Sequence, residues 1–187
     1  MAGTALLIID LQNDYFPDGR FPLVGIEAAA VQAAGLLKAA RAKGLPVVHV
    51  RHEEASTEAP FFVAGTEGAQ IHPLMAPAAG EPVIVKNNVN AFLGTELDAL
   101  LKQAGASDLV IVGAMSHMCV DAATRAALDL GYGVTLAHDA AATLDLSFGG
   151  VDVPAASVQA AMMAALEFAG ATLRPAAEIS GDWASQG

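Results

Sequence analysis

Three residues of this 187-residue chain could together carry out acyl transfer: Asp10, Lys86 and Cys119. Asp10 directly follows Leu6, Leu7, Ile8 and Ile9, a run of strand type at whose end a carboxylate is costly to bury without a partner. Lys86 follows Val83, Ile84 and Val85 in the same way. Cys119 comes a short turn after Leu109, Val110, Ile111, Val112 and Gly113, at the expected first turn of a helix. A helix N-terminus offers partial positive charge and unpaired N–H groups, which favour thiolate over thiol and can hold an oxyanion. Each residue also has a plainer reading: Asp10 as a cap, Lys86 as a solvated strand end, Cys119 as an inert buried thiol. An acid, an ammonium and a thiol that each end a different parallel strand face one rim, and that shared placement favours chemistry.

The elements that must position these groups alternate between two periods. Short runs rich in Leu, Ile and Val give six expected strands, at 5–9, 46–51, 82–86, 108–113, 133–138 and 171–173. Most are apolar almost throughout, as central strands covered on both faces should be. Between them lie helical stripes. Ala30, Ala33, Leu37 and Ala40 share one face of an expected helix over 26–43, and 95–104 forms another. Val120, Ala123, Thr124, Ala127 and Leu128 form a third stripe. Val158, Ala161, Met162, Ala165, Leu166 and Ala169 form a fourth, opened by Pro154 and closed by Gly170. This is the pattern of βα units around a parallel sheet, an α/β fold in one domain over 1–187. Three long connections rich in Gly, Pro and polar residues, at 13–25, 52–81 and 139–153, each follow a strand and should gather at the same rim.

Composition narrows the partners. Nine Lys and Arg against twenty Asp and Glu give a formal charge of −11, which repels phosphate backbones and anionic membranes and favours neutral or cationic small molecules. No nucleic acid or membrane partner is therefore expected. Hydrophobic residues make up 54% of the chain, yet no apolar run reaches the roughly 18 to 20 residues of a membrane span. The first residues run directly into the first strand with no basic segment or cleavage site, so a cytoplasmic location is expected. A single cysteine rules out an intrachain disulfide.

The motifs around these residues resemble those of the isochorismatase-like cysteine hydrolases. Leu6 to Ile9 followed by Asp10, Gln12, Asn13, Asp14 and Tyr15 is similar to that family's first motif. Val83 to Lys86 with Asn90, Ala91, Phe92, Gly94 and Thr95 resembles the second. Val112 and Gly113 through Cys119 and Val120, with Thr124, Arg125 and Ala126, resembles the third. The stretch from Gly113 to Cys119 is most similar to the streptothricin-hydrolase-like and other unspecialised members. The resemblance implies a Rossmann-like three-layer α/β/α sandwich with a six-stranded parallel sheet. It also implies a catalytic triad of Asp10, Lys86 and Cys119, an oxyanion hole from the backbone N–H groups of Met115 and Cys119, and a cis peptide between Ala114 and Met115.

The implied reaction is hydrolysis of a C–N bond in a small amide, ureide or lactam through a cysteinyl thioester, with no cofactor. Gln12, Tyr15, Phe92, Ala114 and Met115 are the candidate substrate-binding residues. Gln12 either orients Asp10 or a water, or ties down its loop. Tyr15 and Phe92 either wall the pocket or anchor loops. Nicotinamidases of this superfamily carry an Asp-x-His metal motif after the second strand, where this chain has His49, Arg51, His52 and Glu53, so no metal is expected. His52, His72 and His117 remain unassigned. Competing readings are a nicotinamidase-type hydrolase, a catalytically silent oligomeric binding protein of the same fold, and a redox thiol that would lack a resolving cysteine. A homodimer or homotetramer is expected from the resemblance and the Ala-rich helices.

Overall fold

Alternation along the first strand builds the centre of the molecule. In β1 (Thr4–Ile9), Leu6 and Ile8 enter one core while Ala5, Leu7 and Ile9 enter a second on the opposite face. A strand buried on both faces needs no polar side, which explains its continuous apolar run. The computed structural model describes residues 3–185. Beside β1 stand β2 (Val47–His52), β3 (Val83–Lys86), β4 (Asp108–Ala114), β5 (Gly133–Ala142) and β8 (Thr172–Arg174). Together they form a six-stranded parallel sheet in the order β3-β2-β1-β4-β5-β8.

Helices cover both faces. α1 (Ile26–Lys43) and α5 (Ala176–Ser185) pack on the Leu6 and Ile8 side, while α2 (Leu97–Gln103), α3 (Cys119–Asp129) and α4 (Ala155–Phe168) pack on the Leu7 side. The sheet winds one way through β1, β2 and β3 and the other way through β4, β5 and β8. The reversal falls between β1 and β4, where Ile9 pairs with Gly113. Open α/β sheets place ligands in the crevice beyond such strand ends. Among the described residues no helix is long and apolar enough to cross a membrane.

Several expected boundaries move for identifiable reasons. β5 runs on to Ala142, because its pairing with β4 shifts between Ile111 and Gly113 and resumes at Ala141 and Ala142. The connection expected as a loop over 139–153 therefore starts later, and it contains an antiparallel hairpin of β6 (Leu146–Phe148) and β7 (Val151–Val153). Gly149 and Gly150 read as loop residues but both take positive φ, the requirement of a tight hairpin turn. The C-terminal helix α5 was not expected; Ala176, Ile179 and Trp183 fall at i, i+3 and i+7 and are buried in the α1 core. In α4 the buried stripe is Ala155, Val158, Met163 and Leu166, and the expected Ala161 and Ala169 are exposed. A helix with alanine on every side does not announce its inward face by polarity. β3 is an edge strand, so Val83 and Val85 stay exposed while Ile84 and Lys86 are buried.

Candidate active site

Close approach of two strands shapes the rim. A Cβ on Gly113 would stand 2.0 Å from the Ile9 carbonyl oxygen, so only glycine lets β4 pass β1 at this point. Asp10, the next residue of the first chain segment, has φ of 51°, an uncommon conformation for a residue with a side chain, and its N–H is held by the Val50 carbonyl at 3.0 Å. Beyond β4 the chain turns through a cis peptide between Ala114 and Met115 and enters α3 at Cys119. The Ser116 N–H donates to the Ala142 carbonyl, and the N–H groups of Met118 and Val120 both donate to the Met115 carbonyl. Those bonds leave the N–H groups of Met115 and Cys119 out of the turn's own network.

The three strand-end residues meet. Lys86 Nζ lies 2.8 Å from Asp10 Oδ2 and 3.2 Å from Cys119 Sγ. Asp10 and Lys86 are both fully buried, and Cys119 is 7% exposed. Burial works against the Lys86 charge, but Asp10 and Cys119 outweigh it and raise the ammonium pKa, so Lys86 stays charged. For Cys119 the balance goes the other way. Burial pushes the thiol up to about 12, Asp10 adds to this, and Lys86 opposes them without prevailing. Desolvation and Asp10 together exceed the help from Lys86, so the thiol form is favoured in the resting site. A buried thiol beside a carboxylate and an ammonium can exchange its proton internally while the net charge of the group is unchanged.

A fourth residue joins them. His52 Nδ1 lies 3.0 Å from Lys86 Nζ, and its Nε2 lies 2.8 Å from Glu54 Oε1. In the sequence His52 is one of three histidines that could approach the pocket, with no role assigned, and Glu54 is not singled out. Its strand-end position was a signal: His52 ends β2 and Lys86 ends β3, as Asp10 directly follows β1, and the register of the sheet pairs His52 with Lys86. Gln12 does not reach Asp10. Its amide donates to the carbonyls of His52 and Ala69, both at 2.8 Å, and its oxygen accepts the His52 N–H at 2.7 Å, so its role is to clamp backbone.

The remaining candidates are distributed around this centre. Tyr15 is 1% exposed and packs against Phe21, Phe61 and Phe62, with ring centroids 6.3, 5.6 and 4.5 Å away. Burial, followed by the charges of Asp10, Cys119 and Asp14, raises its phenol pKa far above the ordinary value. Phe92 is half-buried near Tyr132, with ring centroids 6.3 Å apart. Ala114 and Met115 are buried in the turn before Cys119. His49 bonds Glu81, His72 stacks on Phe16 at 3.6 Å, and His117 bonds the Thr143 hydroxyl at 2.6 Å. Asp14, seen in the sequence only as part of a motif, accepts the Phe62 N–H at 2.7 Å and thereby ties two of the rim loops together. Ser116 and Gln159 form a further link that the sequence did not disclose, at 2.6 Å, fastening the turn to α4.

The same arrangement of sequence and fold recurs in other proteins. The isochorismatase domain family matches residues 4–174. YddQ, an uncharacterized isochorismatase family protein of Bacillus subtilis, is 46% identical over 171 residues, which covers 91% of this chain and 95% of that one. Streptothricin hydrolase of Streptomyces noursei is 38% identical over 146 residues, 76% of this chain but only 50% of that longer protein. A crystal structure from Oleispira antarctica, of a protein described provisionally as an isochorismatase hydrolase, superposes with a TM-score of 0.94. It is 56% identical, and the match covers 96% of this chain and 97% of the other.

Proposed function

Because this chain belongs to the isochorismatase family, which includes hydrolases, we propose that it is a cysteine-dependent amidohydrolase of small amides, ureides or lactams. The observation that carries the reading is one ammonium, that of Lys86, in contact with both the Asp10 carboxylate and the Cys119 sulfur. Asp10 takes the thiol proton as sulfur attacks the substrate carbonyl carbon. Lys86 offsets the charge on whichever of sulfur or carboxylate is ionised. The N–H groups of Met115 and Cys119 receive the oxyanion. Collapse breaks the C–N bond, the departing ammonia or amine takes the proton from Asp10, and a thioester remains. Asp10 then deprotonates a water that cleaves the thioester and returns the thiol.

The test is a panel of neutral and cationic amides, lactams and ureides, nicotinamide among them, assayed for carboxylate or ammonia release. Cys119→Ala is the control. Turnover by the wild type and none by the variant is the expected result, and nicotinamide as the sole substrate would move the reading to the nicotinamidase branch. Activity retained in Cys119→Ala would remove the thioester mechanism. Self-association belongs to the same reading. Phe148 is 90% exposed and Phe168 is 95% exposed, two large apolar side chains that contact with another subunit would cover. Light scattering should return a dimer or tetramer.

A further inference from the structure

His52 stands between Lys86 and Glu54, and its two ring nitrogens fix the direction of both contacts. An ammonium has three donors and no acceptor. Lys86 has three polar neighbours: Asp10 Oδ2 in an ion pair at 2.8 Å, and Cys119 Sγ at 3.2 Å and His52 Nδ1 at 3.0 Å as hydrogen-bond partners. Nδ1 must therefore accept, which places the ring proton on Nε2, where Glu54 Oε1 receives it at 2.8 Å. The charges facing the ring are thus Lys86 from β3 on one side and Glu54 on the other. Water competes poorly for the first contact, since Lys86 is 1% exposed and His52 9%.

The backbone around the ring is equally constrained. Gln12 holds the N–H and the carbonyl of His52 at once. Glu54 is fastened by its N–H to the Phe62 carbonyl at 2.8 Å and by its carbonyl to the Ala64 N–H at 2.9 Å. Such a chain of carboxylate, neutral imidazole and cation sets the tautomer and orientation of the ring, and through it the place of the cation.

From this geometry we infer that His52, oriented by Glu54, is a positioning residue that holds the Lys86 ammonium against Asp10 and Cys119. The inference rests on the triad reading above. Without the imidazole lone pair, one ammonium proton has no partner in a buried site, and Lys86 is free to turn toward another acceptor. The thiolate formed during attack then loses a fixed counter-charge, and its population falls by about tenfold for each unit by which the thiol pKa rises.

Alkylation of Cys119 by iodoacetamide, followed by intact mass at one pH, tests this without a known substrate. The proteins compared are wild type, Lys86→Met, His52→Leu, His52→Asn and Glu54→Ala, each first shown to be folded by circular dichroism and thermal unfolding. Lys86→Met and His52→Leu should both slow alkylation by about tenfold or more. His52→Asn, whose amide oxygen can stand where Nδ1 stood, should recover to within about threefold of wild type, and Glu54→Ala should slow it by about threefold. If Lys86→Met is slow and His52→Leu is not, the role of His52 is overturned while the triad stands. If His52→Leu and His52→Asn slow alike, the ring acts by packing alone and the inference also fails. Wild-type rates in both Lys86→Met and His52→Leu would overturn the Lys86 role itself and this inference with it. An unchanged Glu54→Ala removes Glu54 from the device.

Discussion

Asp10 Oδ2 and Lys86 Nζ lie 2.8 Å apart, and neither side chain is exposed. Breaking a buried pair from one side leaves an uncompensated charge, at a cost of about 3 to 5 kcal/mol, whereas removing both ions together relieves the desolvation of each. Asp10→Asn and Lys86→Met should each lower unfolding stability by about 3 kcal/mol in denaturant titrations. The double variant should lose clearly less than the two losses combined, and strict additivity would mean that the ions are not coupled. Turnover of any identified substrate should drop by about a hundredfold or more in each single variant, the range lost with a positioned acid–base group.

The thiol makes a pH prediction of definite sign. Cys119 has its pKa raised from 9.0 to about 12, burial first and Asp10 second. The folded protein therefore holds this proton more tightly than the unfolded chain does. The stability it contributes is complete below about 9 and is lost as pH rises toward 12. Alkylation of the native protein should keep accelerating above pH 9, while that of the urea-unfolded protein levels off near its ordinary thiol pKa. A native profile that levels off at neutral pH would show a resting thiolate and reverse this assignment.

At the opposite end of the sheet, Glu81 is held by a bidentate Arg41 at 2.8 and 2.7 Å, by the Ala78 N–H at 2.8 Å and by His49 Nε2 at 2.9 Å. Its pKa is lowered from 4.5 to about 2, with Arg41 as the main cause and burial opposing. The group binds protons less readily folded than unfolded, so its contribution is present above about 4.5 and disappears as pH falls through about 2. Because Arg41 is partly solvated, about 1 to 2 kcal/mol is expected rather than the full value of the shift. Glu81→Gln should be less stable than wild type by that amount at pH 7, and the two should converge near pH 2.

How much of this was legible in the sequence depended on whether one residue's neighbours along the chain carried the signal. The strand ends at Asp10 and Lys86 stood out because an apolar run terminates in a charge, whereas the end of β5 at Ala142 depends on its shifted pairing with β4. The hairpin at Leu146–Val153 and helix α5 did not stand out, since a pair of glycines and three spaced apolar residues are weak against the loop background. His52 was harder still. Its meaning lies in the register that sets β2 beside β3, a relation between residues 34 positions apart that no local pattern encodes. Gln12 was open to two readings in the sequence, orienting Asp10 or a water or tying down its loop, and only the fold chooses between them by turning the amide toward the backbone of His52 and Ala69.

Chelation should leave turnover unchanged. The end of β2 and the connection after it could supply His52 and Glu53, with His72 joining from farther along the same connection, yet each is committed elsewhere. Both nitrogens of His52 are engaged, and the Lys86 ammonium 3.0 Å from Nδ1 repels any cation approaching that side of the ring. Glu53 pairs with Arg51 at 2.8 Å. His72 stacks on Phe16, and its Nδ1 accepts the Leu74 N–H at 3.3 Å. A divalent ion needs about four to six ligands in a defined geometry. Among the described residues no group of three or more His, Cys, Asp or Glu side chains is arranged to supply it. On the proposed mechanism the N–H groups of Met115 and Cys119 polarise the substrate carbonyl, and donors of this kind contribute about 3 to 4 kcal/mol each to transition-state stabilisation. Prolonged treatment with EDTA or phenanthroline should leave the rate as it was, with no stoichiometric zinc, iron or manganese in the purified protein. Loss of activity on chelation, restored by one of those ions, would require His52 to leave Lys86 for a metal and would favour the nicotinamidase branch.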